Sequence, residues 1–170
     1  VPEISQIDWL KIDIQGGEVE VFKGGKKRLA SALCVITEVA AVPLYVNQPL
    51  LDAQMIALRP MGYMVHKFLS TNSFSIRGPF AQRMHRRKYR SQFVDGDAVF
   101  LRNILTLAAL STEALKHMAI LADAVFDSQD VTVAAMAQLV ERGAISAGAV
   151  DDYIDQLPHV TERVEALGDA

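Results

Sequence analysis

Two short apolar runs, IDWLKIDI (Ile7–Ile14) and LCVITEV (Leu33–Val39), flank a stretch of helical periodicity, and that order dictates parallel pairing. A hairpin returns the chain antiparallel within a few residues. A second strand in the same direction needs a crossover of about a dozen residues or more, usually a helix. The first run alternates, with Leu10, Ile12 and Ile14 on one face and Trp9, Lys11 and Asp13 on the other. From Glu18 to Ala30, Val19, Phe22 and Leu29 share a helix face while Glu20, Lys23, Lys26 and Lys27 stay wet. LCVITEV is apolar and β-branched, as a strand buried on both faces requires.

The pattern then repeats. Pro49 can open a second helix at its first turn, carrying Leu51, Met55 and Leu58 until Pro60 and Gly62 stop it. YMVHKFLS reads as a third strand and DAVFLR as a fourth, with a polar and basic loop between them. Strands are thus expected at 7–14, 33–39, 63–69 and 97–102, in one sheet. His66 falls within the third strand pattern and reads as a packed or surface histidine.

Beyond Asn103 the signals are only helical. Ser111 can cap a helix to about Phe126, Asp130 a second that Gly143 ends, and Ser146 a third that Pro158 ends, with a short amphipathic tail after it. Leu105, Leu110, Leu115, Met118, Leu121, Val125 and Phe126 are too much apolar surface to leave in water. Charge divides at the same place: residues 1–103 carry +5 and residues 104–170 carry −8, so the overall −3 hides two parts, 1–103 and 104–170. Cys34, the single cysteine, permits no intrachain disulfide and reads as a small buried hydrophobe. No run approaches the roughly 20 apolar residues of a bilayer span, and no basic start precedes a short hydrophobic segment. A cytoplasmic location is the expectation.

In an open parallel sheet, ligands bind beyond the carboxyl ends of the strands, where loops diverge and helix N-termini point inward. Asp13 sits at such an end. Glu18 falls in the first turn of the next helix and Glu38 near the carboxyl end of the next strand, so three acids are expected on one rim. A structural role is open to each: Glu18 can serve the helix dipole, and Asp13 can pair with Lys11 or a turn amide. An unpaired buried Glu38 would be costly. KGGKK (Lys23–Lys27) lacks P-loop spacing and reads as a small-residue packing point in a helix. In RMHRRKYR (Arg83–Arg90), five cations with one aromatic suit a solvated loop, or a lid over an acidic or phosphorylated acceptor through Arg86, Arg87 and Lys88.

DWLKIDIQGGEVEVFKGG, followed by VITEVAAVPLYVNQPLLDAQMIALRPMGY and DAVFLR, resembles the carboxyl half of the FkbM-type methyltransferases. The pattern is matched at Leu10, Lys11, Asp13, Gln15, Gly16, Glu18 and Gly24, then at Glu38–Val39, Pro43–Tyr45, Gln48–Leu50 and Gly62–Tyr63, over about residues 5–103. The resemblance implies an α/β fold: the carboxyl half of a Rossmann-like methyltransferase sheet, its last strand antiparallel and inserted beside the second, followed by an α-helical extension. It implies S-adenosylmethionine as cofactor and O-methylation of a hydroxyl on a sugar, glycan, lipid or secondary metabolite. Asp13 would border cofactor and acceptor, Gln15 and Gly16 would lie on the cofactor side, and Glu18 and Glu38 would position the reacting groups. Neither nucleic acid nor a metal is called for. Enzymes of this fold bind the cofactor chiefly through a Gly-rich turn and an acid that would precede residue 1. This chain alone is therefore expected to bind the cofactor weakly, to be inactive, and to expose the edge of its first strand. Two alanines after Val39 depart from relatives that carry aromatic or polar residues there. The alternative function is a non-catalytic scaffold whose helical tail mediates self-association or binds a protein partner.

Overall fold

The computed structural model describes residues 6–158. It divides into two compact units between Ile104 and Leu105. Among the described residues, the first holds a four-stranded sheet in the order β1-β2-β4-β3, with β1 Trp9–Ile12, β2 Cys34–Ala40, β3 Tyr63–Phe74 and β4 Gln92–Arg102. β1 and β2 pair in parallel, and β4 inserts antiparallel between β2 and β3. Both features match the sequence reading. So does the class, a Rossmann-like α/β sheet followed by a helical extension. β1 forms one edge of the sheet among the described residues.

The lengths differ from expectation. β1 is shorter than 7–14, because Gln15 (φ 59°) and Gly16 (φ 104°) turn the chain into the left-handed region. β3 and β4 run well past 63–69 and 97–102, since paired backbone carries Ser70–Phe74 and Gln92–Gly96 although those residues look like loop. β3 has register shifts, one of them at His66, which is half-buried.

The helix expected over 18–30 is two pieces, α1 Glu18–Gly24 and α2 Lys26–Leu29. Two adjacent glycines carry the lowest helix propensity short of proline, and the chain breaks there. The packing reading of the glycine pair holds at Gly25, where a Cβ would stand 2.9 Å from the Val21 carbonyl oxygen and touch the Leu29 side chain, and not at Gly24, where it would meet nothing within 4 Å. α3 spans Leu51–Leu58 with Leu50 at its N-cap, so Pro49 precedes the helix rather than occupying its first turn. A 3-10 turn over Arg59–Met61 follows, and Gly62 (φ 88°) ends it.

One sheet face and these helices enclose the core: Ile12, Phe22, Leu29, Val35, Val39, Leu58, Tyr63, Ala98 and Phe100. Cys34 is fully buried, as expected of a small hydrophobe, and burial pushes its thiol pKa up to about 12. Tyr63 explains the Gly-Tyr pair. Gly62 supplies the reversal, and the buried Tyr63 hydroxyl reaches the carbonyl oxygens of Leu29 (2.7 Å) and Ala32 (2.9 Å). Those oxygens also accept from the Ala32 amide and the Arg102 guanidinium, so Tyr63→Phe leaves neither orphaned. The expected cost is only about 1 kcal/mol, read as a lower urea midpoint at unchanged slope.

Among the described residues, the second unit holds three helices, α4 Thr112–Ala124, α5 Gln129–Glu141 and α6 Ala147–Asp155, after a 3-10 segment at Ile104–Ala109. Ser111 and Ser146 cap α4 and α6 as the sequence indicates, accepting from Ala114 N–H (3.2 Å) and Ala149 N–H (3.3 Å). At α5 the cap position belongs to Ser128, and Asp130 lies in the first turn. Leu115, Met118, Leu121, Phe126, Val131, Ala135 and Leu139 are buried. The tail beyond Pro158 lies outside the described residues.

Candidate functional site

Parallel β1 and β2 end on the same side of the sheet, which brings Asp13 and Glu38 to one rim. Gln15 joins them. Its left-handed backbone swings the side chain across the strand ends, where Nε2 donates to Asp13 Oδ1 (2.7 Å) and to Glu38 Oε2 (3.1 Å). Gln15 Oε1, the side-chain amide oxygen, accepts from the Tyr45 hydroxyl, tying in the 41–50 loop. Gln48 braces that loop by accepting from Leu44 N–H (2.7 Å) and Tyr45 N–H (3.2 Å). The family-pattern residues Gln15, Tyr45 and Gln48 thus form one polar network around two acids.

Glu18 does something different. It is buried, and its two carboxylate oxygens accept from Ile14 N–H and Gly16 N–H, each at 3.0 Å. A turn with two successive positive φ angles leaves backbone donors pointing inward, and one carboxylate satisfies both. Glu18 therefore shapes the turn that presents Gln15. Gly16 lends its amide to that bracket, and a Cβ at this position would stand 3.5 Å from the Gln48 side chain. This explains why an acid sits immediately behind two glycines.

Sequence reasoning did not find three further participants. Gln54 on α3, buried although polar, accepts from Thr37 Oγ1 (3.0 Å) and donates to the Glu38 carbonyl (2.8 Å), fixing the carboxyl end of β2. Asp95 and Asp97, on β4, add negative charge to the rim, and Asp97 is the register partner of Glu38. Lys11 pairs with Asp97 across the sheet rather than with Asp13. The only available signal was the inserted antiparallel strand, which puts the start of DGDAVFLR beside the end of β2. Gln54→Leu removes a buried donor and acceptor together and leaves the Glu38 carbonyl with Thr37 Oγ1 alone. It is expected to cost about 1–3 kcal/mol, measurable by urea denaturation.

Electrostatics single out Glu38. It is half-buried, and burial first, then the charges of Asp13, Asp95, Glu18 and Asp97, raise its pKa above the usual carboxylate value. Such a group binds a proton, or welcomes a nearby cation, more readily than an ordinary glutamate. Among the described residues, no three His, Cys, Asp or Glu side chains stand close enough to hold a metal ion. Beside the rim, a shallow recess of about 360 Å³ is lined by Ala40, Ala41, Leu50, Leu51, Asp52 and Met55. The two alanines leave that space open. Arg86, Arg87 and Lys88 are exposed in the loop between β3 and β4, which leaves the sheet at the same end as the rim, since Asp95 pairs with Ala40 on one side and Asn72 on the other. Arg86 lines a larger cavity there, of about 1060 Å³, whereas Arg87 and Lys88 do not.

The acidic, hydrogen-bonded rim lies at the carboxyl ends of parallel strands with an antiparallel strand inserted beside them, the arrangement of a Rossmann-like α/β fold. Residues 1–65 match the family model of the methyltransferase FkbM domain, which supports an FkbM-type methyltransferase. The match takes in the QGGE turn, Glu38, Tyr45, Gln48 and Gly62–Tyr63; β4 lies beyond it. Neither the curated proteins nor the solved structures offer a match to this chain.

Proposed function

We propose that this chain supplies the acceptor side of an S-adenosylmethionine-dependent O-methyltransferase, acting in the cytoplasm on a hydroxyl of a sugar, glycan, lipid or secondary metabolite. The observation that carries the reading is Glu38: a carboxylate with raised proton affinity, held at the rim by Gln15 and surrounded by acids. The rim suits the cofactor by charge, because a sulfonium placed near Asp13 and Glu38 offsets the repulsion that raises Glu38. When bound, S-adenosylmethionine supplies an electrophilic methyl group.

The chain's own residues do the rest. Glu38 accepts the proton of the acceptor hydroxyl, a task favoured by a pKa closer to the working pH. Asp13 borders the same space and contributes negative charge to it. Gln15 keeps both carboxylates in register, and Glu18 and Gln54 hold the turn and the strand end that carry them. The recess beside Ala40 and Ala41 leaves room for the acceptor. No G-x-G-x-x-G turn occurs in the sequence, so the 170-residue chain alone is proposed to bind the cofactor only weakly.

The test is transfer of labelled methyl from S-adenosylmethionine to sugar, glycan and lipid alcohols by a polypeptide that carries this segment, beside calorimetric titration of the segment itself. Label in an ether linkage to the acceptor supports the reading. Label only on nitrogen or sulfur overturns it, and micromolar cofactor binding by the segment alone would move the cofactor site into this chain.

A further inference from the structure

We propose that the loop between β3 and β4 docks on an anionic lipid bilayer. Residues 53–94 contain no Asp or Glu, and the loop itself carries Arg77, Arg83, Arg86, Arg87, Lys88 and Arg90. Among the described residues, none of these six forms an ion pair with an acid. Interleaved with them, five large apolar side chains stand in solvent: Phe74, Ile76, Phe80, Met84 and Tyr89, with Ile76 and Phe80 about 70% exposed (69% and 72%). Exposed apolar surface of this kind calls for a partner.

The loop is built rather than loose. The Ser75 hydroxyl bonds the carbonyls of Arg86 (3.0 Å) and Tyr89 (2.8 Å), clamping the two limbs together. Lys88 lies over the Tyr89 ring at 5.6 Å, and the about 1060 Å³ cavity is walled by both classes of side chain, among them Arg86, Arg90, Phe74 and Met84. Cations and insertable apolar groups on one small surface are the two signals that hold a protein at an anionic membrane, where either alone binds weakly. Nucleic acid fits less well. Ile76 and Met84 offer nothing to a phosphate and no ring on which to stack a base, yet both partition into the headgroup–acyl boundary. The proposal is independent of methyl transfer.

The experiment is cosedimentation of the 170-residue chain with phosphatidylcholine vesicles, with and without about 30% phosphatidylglycerol. Binding is expected only to the anionic vesicles and is expected to be lost in about 0.5 M salt. Arg86→Gln with Arg87→Gln should weaken partition by about 25-fold, near fivefold per cation. Ile76→Ser with Phe80→Ser, which leaves the charge unchanged, should weaken it by about tenfold or more. All four side chains are exposed, so circular dichroism should show both variants folded. Equal binding to neutral vesicles, no vesicle binding at all, or full partition by both folded variants would overturn the proposal. So would displacement from vesicles by inorganic phosphate, which points to a small-anion pocket, or preference for single-stranded RNA, which points to a nucleic-acid surface.

Discussion

Glu38→Gln is expected to lower methyl transfer by about 10²- to 10⁴-fold while leaving thermal stability unchanged or raised. The two halves of that result have one cause. Burial and the surrounding acids raise the affinity of Glu38 for its proton, so the folded chain holds that proton more tightly than the unfolded chain does. The stability contributed by this group is therefore full below the ordinary carboxylate range and is lost as pH rises through the raised value. At neutral pH the ionised side chain opposes folding, and an amide removes the opposition. The amide also keeps an oxygen to accept from Gln15 Nε2, so the rim need not rearrange. What it lacks is basicity. Melting curves on both sides of the carboxylate range, beside turnover at saturating substrates, separate the outcomes: the mutation should abolish this part of the wild-type fall in stability. Asp13→Ala should likewise lower transfer more than it lowers melting temperature, whereas Lys26→Ala, exposed on α2, should change neither.

The largest expected loss of stability comes from Gly96→Ala. Gly96 lies on β4 opposite Val39 and Thr71, between two shifts of the β3–β4 register. A Cβ there would stand 2.1 Å from the Ser70 carbonyl oxygen and 3.2 Å from Thr71 Cα. Both obstacles are backbone, so no side-chain rotation relieves them, and β3 must move away from β4. The expected cost is about 3 kcal/mol, the upper part of the usual range for overpacking, or a fall in melting temperature of more than about 10 °C. Glycine here is a packing requirement, not a conformational one.

Gly96 also shows where sequence reasoning stops. VDGDAVF carries a turn signal in the middle of a strand, and nothing local reveals that a neighbouring carbonyl comes too close for any side chain. STNSF at Ser70–Phe74 likewise looks like loop, because its hydrogen bonds are to another strand and its side chains face water. By contrast, the parallel pairing of β1 with β2 was legible, since an amphipathic helix between two apolar runs permits little else. The insertion of β4 came from family resemblance, not from periodicity. In the site, Asp13 and Glu38 followed from that pairing, but Gln15 as their link did not: the left-handed backbone that swings it across the rim depends on Glu18 closing the turn from behind. Gln54 was hidden for a related reason. A polar residue on the buried side of a short helix reads as a flaw in the apolar pattern until its partners, Thr37 and the Glu38 carbonyl, are in view.

The most direct test of the central claim, that Glu38 is a base whose proton affinity is set by the acids around it, is the pH dependence of kcat/KM for methyl transfer in wild type and in Asp13→Asn. Removing the Asp13 charge removes one cause that raises Glu38, so the acid limb of the profile should move to lower pH while the turn held by Glu18 stays intact. An acid limb that stays in place in Asp13→Asn, or wild-type turnover in Glu38→Gln, would contradict the account.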